Sequence, residues 1–212
     1  MQLTDRDLDI LRFLTLRVRI AAHTQIARTW WPRVANAADV TRRRLDRLCF
    51  GELMQAQEVT AMRPPLLWQP LCAWAPGEVP PNLGRVAWLL HKRAGGRCVG
   101  QIAYYATARA ARRIAGARSG RIAQPFQVAH DLGVTEMYLA VLRTRPELAQ
   151  RWIDEDRLAP HRRHQKLPDA IIAVDPAAPP QLVLEYGGDY GKQRLLDFHE
   201  DNRERGLPYE IW

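Results

Sequence analysis

Two acids border two short apolar runs in this 212-residue chain. Asp169 opens Leu167-Pro168-Asp169-Ala-Ile-Ile-Ala-Val174, and Glu185 closes Leu182-Val183-Leu184-Glu185-Tyr186-Gly187. Apolar runs of this length, bounded by Pro and Gly, read as strands buried on both faces. Between them Asp175-Pro-Ala-Ala-Pro-Pro-Gln181 has loop chemistry, so the pair reads as a β-hairpin. A turn centred near Ala177 sets Asp169 and Glu185 opposite each other on one face. Neighbouring carboxylates on an apolar sheet repel and are costly to desolvate. They are stabilised by sharing a proton, by pairing with a cation, or by holding a metal such as Mg²⁺, which favours carboxylate oxygen. The last option is the chemistry of metal-dependent nucleic-acid cleavage.

Other chemistries find less support. Cys49, Cys72 and Cys98 are odd in number and widely spaced, so they form neither a disulfide framework nor a CxxC zinc pattern. Each reads as a small buried hydrophobe in a reducing cytoplasm. His130, His164 and His199 lack zinc spacing such as HExxH. His199, with polar neighbours on a helix, reads as a surface or capping residue, and Asp131 as a helix N-cap. There is no Walker loop or dinucleotide fingerprint, which argues against nucleotide-driven chemistry. Gly187-Gly188 with Tyr190 reads either as a place where a phosphate approaches the backbone or as a tight strand-to-helix turn, the commoner case.

The net charge of +8 is unevenly placed. Residues 1–78 hold 11 Lys+Arg against 8 Asp+Glu, residues 79–130 hold 9 against none, and residues 131–212 hold 11 against 15. An acid-free, Arg-rich centre favours a polyanion, most simply double-stranded DNA. A solvated basic face is the plainer alternative. No window reaches the apolar length of a membrane span, and the first residues lack a signal-peptide core, so a cytoplasmic protein with no membrane partner is expected.

The elements that must position these groups follow from capping and periodicity. Thr4 caps a helix to about Arg17, a short helix covers Thr24–Trp30, and a third runs from Ala37 to Phe50 with Gly51 at its C′ position. Leu45 and Leu48 turn the third helix inward and leave Arg42, Arg43 and Arg47 on its outer face. Segments 52–62 and 66–74 read as the strands of a β-wing. This is the order of a winged helix-turn-helix, whose third helix enters the major groove. Helix 85–93, strand 99–105 and helix 107–115, with Arg112 and Arg113, follow; 116–121 is the best linker candidate. From residue 127 the order is helix (133–148), strand (151–158), the hairpin, helix (192–205) and a terminal strand, or αβββαβ. The fold class expected is α+β, with a winged helix-turn-helix over 1–78, a basic connecting region over 79–126 and an α/β domain over 127–212.

That order, with Pro-Asp opening one strand and an acid ending the next, resembles the PD-(D/E)xK, or restriction-endonuclease-like, nuclease core. In that family the Asp and the Glu bind the catalytic metal, and a Lys two residues after the Glu helps to activate water. Asp169 and Glu185 match the acid positions, but residue 187 is Gly. The resemblance makes Lys192 the candidate for a displaced lysine and Glu136 the candidate for a further helical acid. The whole chain is similar to the replication-relaxation proteins of plasmids and other mobile elements, which join a winged helix to a nuclease-like domain. The carrying residues are Thr41-Arg-Arg-Arg-Leu-Asp-Arg-Leu48, His130-Asp131-Leu132, Leu167-Pro-Asp169 and Leu184-Glu-Tyr-Gly187.

Three functions follow as expectations. The first is a DNA-binding protein of a plasmid or mobile element, acting in replication, relaxation or mobilisation, whose nuclease-like domain is inactive or specialised. The second is a Mg²⁺-dependent endonuclease using Asp169, Glu185 and Lys192. The third is a winged-helix transcriptional regulator. A nuclease fold kept as a dimerisation platform would add a homodimer to the partners.

Overall fold

The computed structural model describes residues 2–114, 122, 127–162 and 166–212. The linker candidate 116–121 and His164 lie outside the described residues. Along the chain run α1 (Asp5–Leu16), β1 (Ala21–Ala22), α2 (His23–Trp30), α3 (Ala37–Phe50), β2 (Met54–Met62), β3 (Cys72–Trp74), α4 (Leu83–Ala94), β4 (Cys98–Ala106) and α5 (Ala108–Ile114). Then come α6 (Val128–Thr144), α7 (Pro146–Ala149), β5 (Trp152–Asp154), α8 (Glu155–Leu158), β6 (Ala170–Ile172), β7 (Leu182–Glu185), α9 (Lys192–Glu204) and β8 (Tyr209–Ile211). The fold is mixed α+β, and no helix among the described residues is long and apolar enough to cross a membrane.

The chain divides into two compact units, one of residues 1–64 and 97–136, the other of 65–96 and 137–212. The boundaries at 78 and 126 expected from composition therefore fall inside units. The basic region 79–126 is shared out: α4 belongs to the second unit, β4 and α5 to the first.

In the first unit α1 starts at a reciprocal capping box between Thr4 and Asp7. Arg44 of α3 reaches the same carboxylate, its Nε 2.6 Å from Asp7 Oδ1, and so ties α3 to the start of α1. The helix α3 ends as a Schellman motif, with Leu53 N–H donating to Leu48 C=O at 3.0 Å and Glu52 N–H to Cys49 C=O at 2.8 Å. The left-handed residue is Glu52 (φ 56°), not Gly51, which keeps φ −76°. Leu48 and Leu53, both buried, supply the apolar contact that usually accompanies this cap.

The wing differs from the expected local hairpin. Strand β2 pairs antiparallel with β4 over nine residues, from Met54 opposite Ala106 to Met62 opposite Cys98, and β1 adds to the other edge of β4. Segment 66–74 instead yields β3, which pairs with β8 in the second unit. Apolar Ile20, Ala22, Ala61, Val128 and Leu132 pack beside this sheet.

The second unit is a five-stranded sheet in the order β3-β8-β7-β6-β5. Strands β5, β6 and β7 are successively antiparallel, and β7 and β8 are parallel. A parallel neighbour needs a crossover, and α9 provides it. Segment 151–158 is strand only over Trp152–Asp154, because Asp154 then caps α8 by accepting from Arg157 N–H at 3.1 Å. Leu90, Ile171, Leu195, Tyr209 and Ile211 fill the core on the sheet without measurable exposure.

Candidate functional site

Pairing of Ala170 with Leu184 sets the register of β6 and β7, so Asp169 and Glu185 are direct cross-strand neighbours. They interlock through the backbone. Tyr186 N–H donates to Asp169 Oδ2 at 2.7 Å, and Asp169 N–H donates to Glu185 Oε2 at 3.3 Å. Glu185 is buried, and its Oε1 accepts the Tyr190 hydroxyl at 2.8 Å. Burial, then the Glu185 and Asp169 carboxylates, push the Tyr190 phenol well above its ordinary range, so it keeps its proton and acts as a donor. Arg194, one helical turn on, donates to the Tyr190 hydroxyl at 2.7 Å and lies 3.6 Å over its ring. The chain Glu185–Tyr190–Arg194 links an anion to a cation through a neutral phenol. Sequence reasoning missed Tyr190 and Arg194; their i, i+4 spacing at the start of α9 was the available signal.

The donor set meets the minimum for Mg²⁺. That ion is commonly held by one or two carboxylates with phosphate and water completing the shell, and Asp169 and Glu185 supply two. No group of three His, Cys, Asp or Glu side chains suited to a metal occurs among the described residues.

The resemblance places a lysine at position 187, and here the structure closes the space. A Cβ on Gly187 would stand 2.5 Å and 2.7 Å from the two methyl carbons of Leu90 in α4. Arg93 of the same helix stacks over the Tyr186 ring at 4.7 Å. The helix α4 thus covers the chain just after Glu185. Lys192, the candidate for a displaced lysine, begins the helix that follows Gly187. It is exposed in the first turn of α9 and does not line the cavity that Glu185 lines. Glu136, the candidate for a further helical acid, has partners of its own. It is fully buried in the first unit, where one oxygen accepts from Gln25 Nε2 at 3.1 Å and from Arg28. Those partners make it a fastening between α6 and α2.

The histidine and cysteine readings need similar revision. His199 is buried, edge-on to Trp74, with Nδ1 2.9 Å from the Tyr209 hydroxyl. Asp131 is not an N-cap, because α6 begins at Val128; it lies in the first turn, 3.5 Å from Arg19. Of the cysteines, Cys72 is buried, Cys49 half-buried and Cys98 exposed. Burial, then Asp46, raises the Cys49 thiol to about 11, which makes it unreactive.

On the first unit, Arg42, Arg43 and Arg47 are exposed on α3 while Thr41, Leu45 and Leu48 are buried, as the periodicity requires. Arg42 makes only a loose pair with Asp39 at 3.6 Å. Arg112 and Arg113 are exposed on α5. Arg44 is the exception in the triplet, being spent on Asp7.

No protein-family model, curated protein or solved structure matches the chain.

Proposed function

We propose that this chain is a DNA-binding protein of a plasmid or mobile element, similar to the replication-relaxation proteins. In this reading the first unit is a winged helix that holds double-stranded DNA, and the second is a restriction-endonuclease-like unit specialised away from efficient cleavage. The observation that carries the reading is the outward row of Arg42, Arg43 and Arg47 on α3. An exposed arginine row on the third helix, beside a long β2–β4 wing, supplies phosphate and base-edge contacts in the geometry of such domains. The antiparallel β5-β6-β7 set, joined through α9 to a parallel β8, supports the nuclease-like reading of the second unit.

The test is fluorescence anisotropy of the full chain on a labelled duplex over a salt series. The Arg42→Ala/Arg43→Ala variant should bind at least about tenfold more weakly, and its log K against log salt slope should fall by about 0.9 for each phosphate contact removed. Equal affinity and slope for both proteins would remove α3 from the interface and sink this reading.

The Asp169–Glu185 pair favours a second reading, a Mg²⁺-dependent endonuclease. Bound there, Mg²⁺ would polarise a phosphodiester and lower the pKa of an attacking water. This chain's own residues do the rest less well. Gly187 brings no ammonium, and Leu90 denies one entry. Arg194 offers hydrogen-bond donors and no acceptor, so it stabilises charge and does not serve as a general base. Tyr190 holds its proton against Glu185. These groups suit holding a phosphate better than cutting beside it, which is why binding stands first.

A further inference from the structure

A cavity of about 290 Å³ opens between α9 and residues 162 and 166–168. Among the described residues, four cations line it: Arg162, Lys166, Arg194 and Arg205. Three of them have partners in the chain. Arg194 bonds to the Tyr190 hydroxyl, Lys166 Nζ donates to the Asp197 carbonyl at 3.3 Å, and Arg205 pairs with Asp201 at 3.3 Å. Arg162 differs. It is only 8% exposed, and its Nη1 is buried without a hydrogen-bond partner.

A buried guanidinium with an orphaned donor is costly. Burial, then Arg205 close by, lowers its pKa, yet arginine starts so high that it stays charged at any physiological pH. Of the acids lining the same cavity, Asp201 acts on Arg162 through its charge, and each has a hydrogen-bond or ion-pair partner other than Arg162. Glu185 accepts from Tyr190, Asp197 from Gln193 Nε2 at 2.9 Å, and Asp201 from Arg205. Among the described residues nothing bonds to Arg162 Nη1, and the chemistry of the partner it lacks is that of an oxyanion with several acceptor oxygens. A phosphate satisfies the fork of a guanidinium in two parallel hydrogen bonds, and Lys166 and Arg205 stand on the same wall.

We propose that this cavity is a binding site for a phosphate monoester, with Arg162 as its principal ligand. Its size, at the lower bound for small-molecule sites, suits a phosphate with an attached sugar and excludes a duplex. Two sources carry that chemistry, the 5′-phosphorylated end of a nucleic-acid strand and free inorganic phosphate. The inference goes beyond the DNA-binding reading and needs no metal. Glu185 lines this cavity as well as belonging to the carboxylate pair, so a phosphate here would sit next to the candidate metal position.

The experiment is calorimetric titration of the full chain in EDTA at constant ionic strength. The probes are inorganic phosphate, the dinucleotide dTdT and its 5′-phosphorylated form. Saturable binding of a phosphate-bearing probe, weakened about tenfold or more in Arg162→Gln, is the expected result. If phosphorylated dTdT binds well above both dTdT and inorganic phosphate, a strand end is the source. If inorganic phosphate binds as tightly, the free ion is the source. No saturable binding by either phosphate-bearing probe overturns the proposal, and so does binding unchanged in a folded Arg162→Gln protein. Should that variant fail to fold, Arg205→Gln serves in its place, since its guanidinium is partly exposed and an unchanged affinity there is equally fatal. Failure of α3 to bind duplex DNA would leave these outcomes untouched.

Discussion

Leu90 occupies the space that a side chain at position 187 would need, its methyl carbons 2.5 Å and 2.7 Å from where a Cβ would stand. Leu90 is completely buried, so it cannot swing into solvent to make room. Gly187→Ala should therefore destabilise the protein by about 1–3 kcal/mol, the usual cost of overpacking. In a Leu90→Ala background, itself costing about 2–5 kcal/mol, the second methyl falls into the cavity and costs less. A double-mutant cycle by urea denaturation reads the coupling. Strict additivity would show that the two positions do not meet.

Asp7 links the capping box of α1 to Arg44 of α3, and this link has a pH signature. Burial raises the Asp7 pKa, but the hydrogen bonds from Arg44 and Thr4 outweigh it and leave the carboxyl below its ordinary value of 3.8. A folded pKa below the unfolded one stabilises the protein fully above the unfolded value of about 4. That contribution is lost as pH falls through the folded value. Asp7→Asn should lower stability at pH 7 by about 1–3 kcal/mol, the cost of an unpaired buried partner, and flatten the acid limb below about pH 4. Unfolding free energies between pH 2 and pH 7 test both. Parallel curves for the two proteins would dismiss Asp7 as the source.

His199 acts on the same acid flank of the pH profile, at higher pH than Asp7. Burial, then Arg203, lowers its pKa from the ordinary value of 6.5. Between the folded and unfolded values the unfolded chain binds more protons, so stability rises with pH there. It should fall as the solution is acidified through about pH 6.5 and level off once the folded histidine also protonates. His199→Gln should abolish this step while retaining a partner for the Tyr209 hydroxyl. Persistence of the step in the variant would assign it to another group.

The sequence carried local information well and partner choice poorly. Asp169 and Glu185 could be set opposite each other because a Pro/Ala turn of fixed length joins their strands, and register then follows by counting. The limits of α3 were equally legible from Leu45, Leu48 and the residues that end it. By contrast, β2 chooses β4, with α4 and β3 intervening, over the nearer segment 66–74, and nothing in either composition says so. Glu136 sits in an apolar helix, and its partners Gln25 and Arg28 lie more than a hundred residues away. Leu90 against Gly187 is the same kind of fact: the glycine is visible in sequence, and only packing shows what a larger side chain there would meet.

The carboxylate pair allows the two functional readings to be separated. Asp169→Asn/Glu185→Gln keeps neutral acceptors for the Tyr186 N–H, the Asp169 N–H and the Tyr190 hydroxyl while removing both charges. If the pair holds Mg²⁺, millimolar Mg²⁺ should raise the melting temperature of the wild type and leave the variant unchanged, since a ligand stabilises only the state that binds it. Supercoiled plasmid incubated with Mg²⁺ or Mn²⁺ then reports on cleavage. With no ammonium at 187 and Lys192 outside the cavity, we expect neither protein to nick the plasmid while both retard it equally in a gel. Nicking by the wild type alone would establish the endonuclease reading and place its metal between Asp169 and Glu185. It would also require that water be activated without a lysine at the usual position, leaving the metal and Arg194 to carry the developing charge.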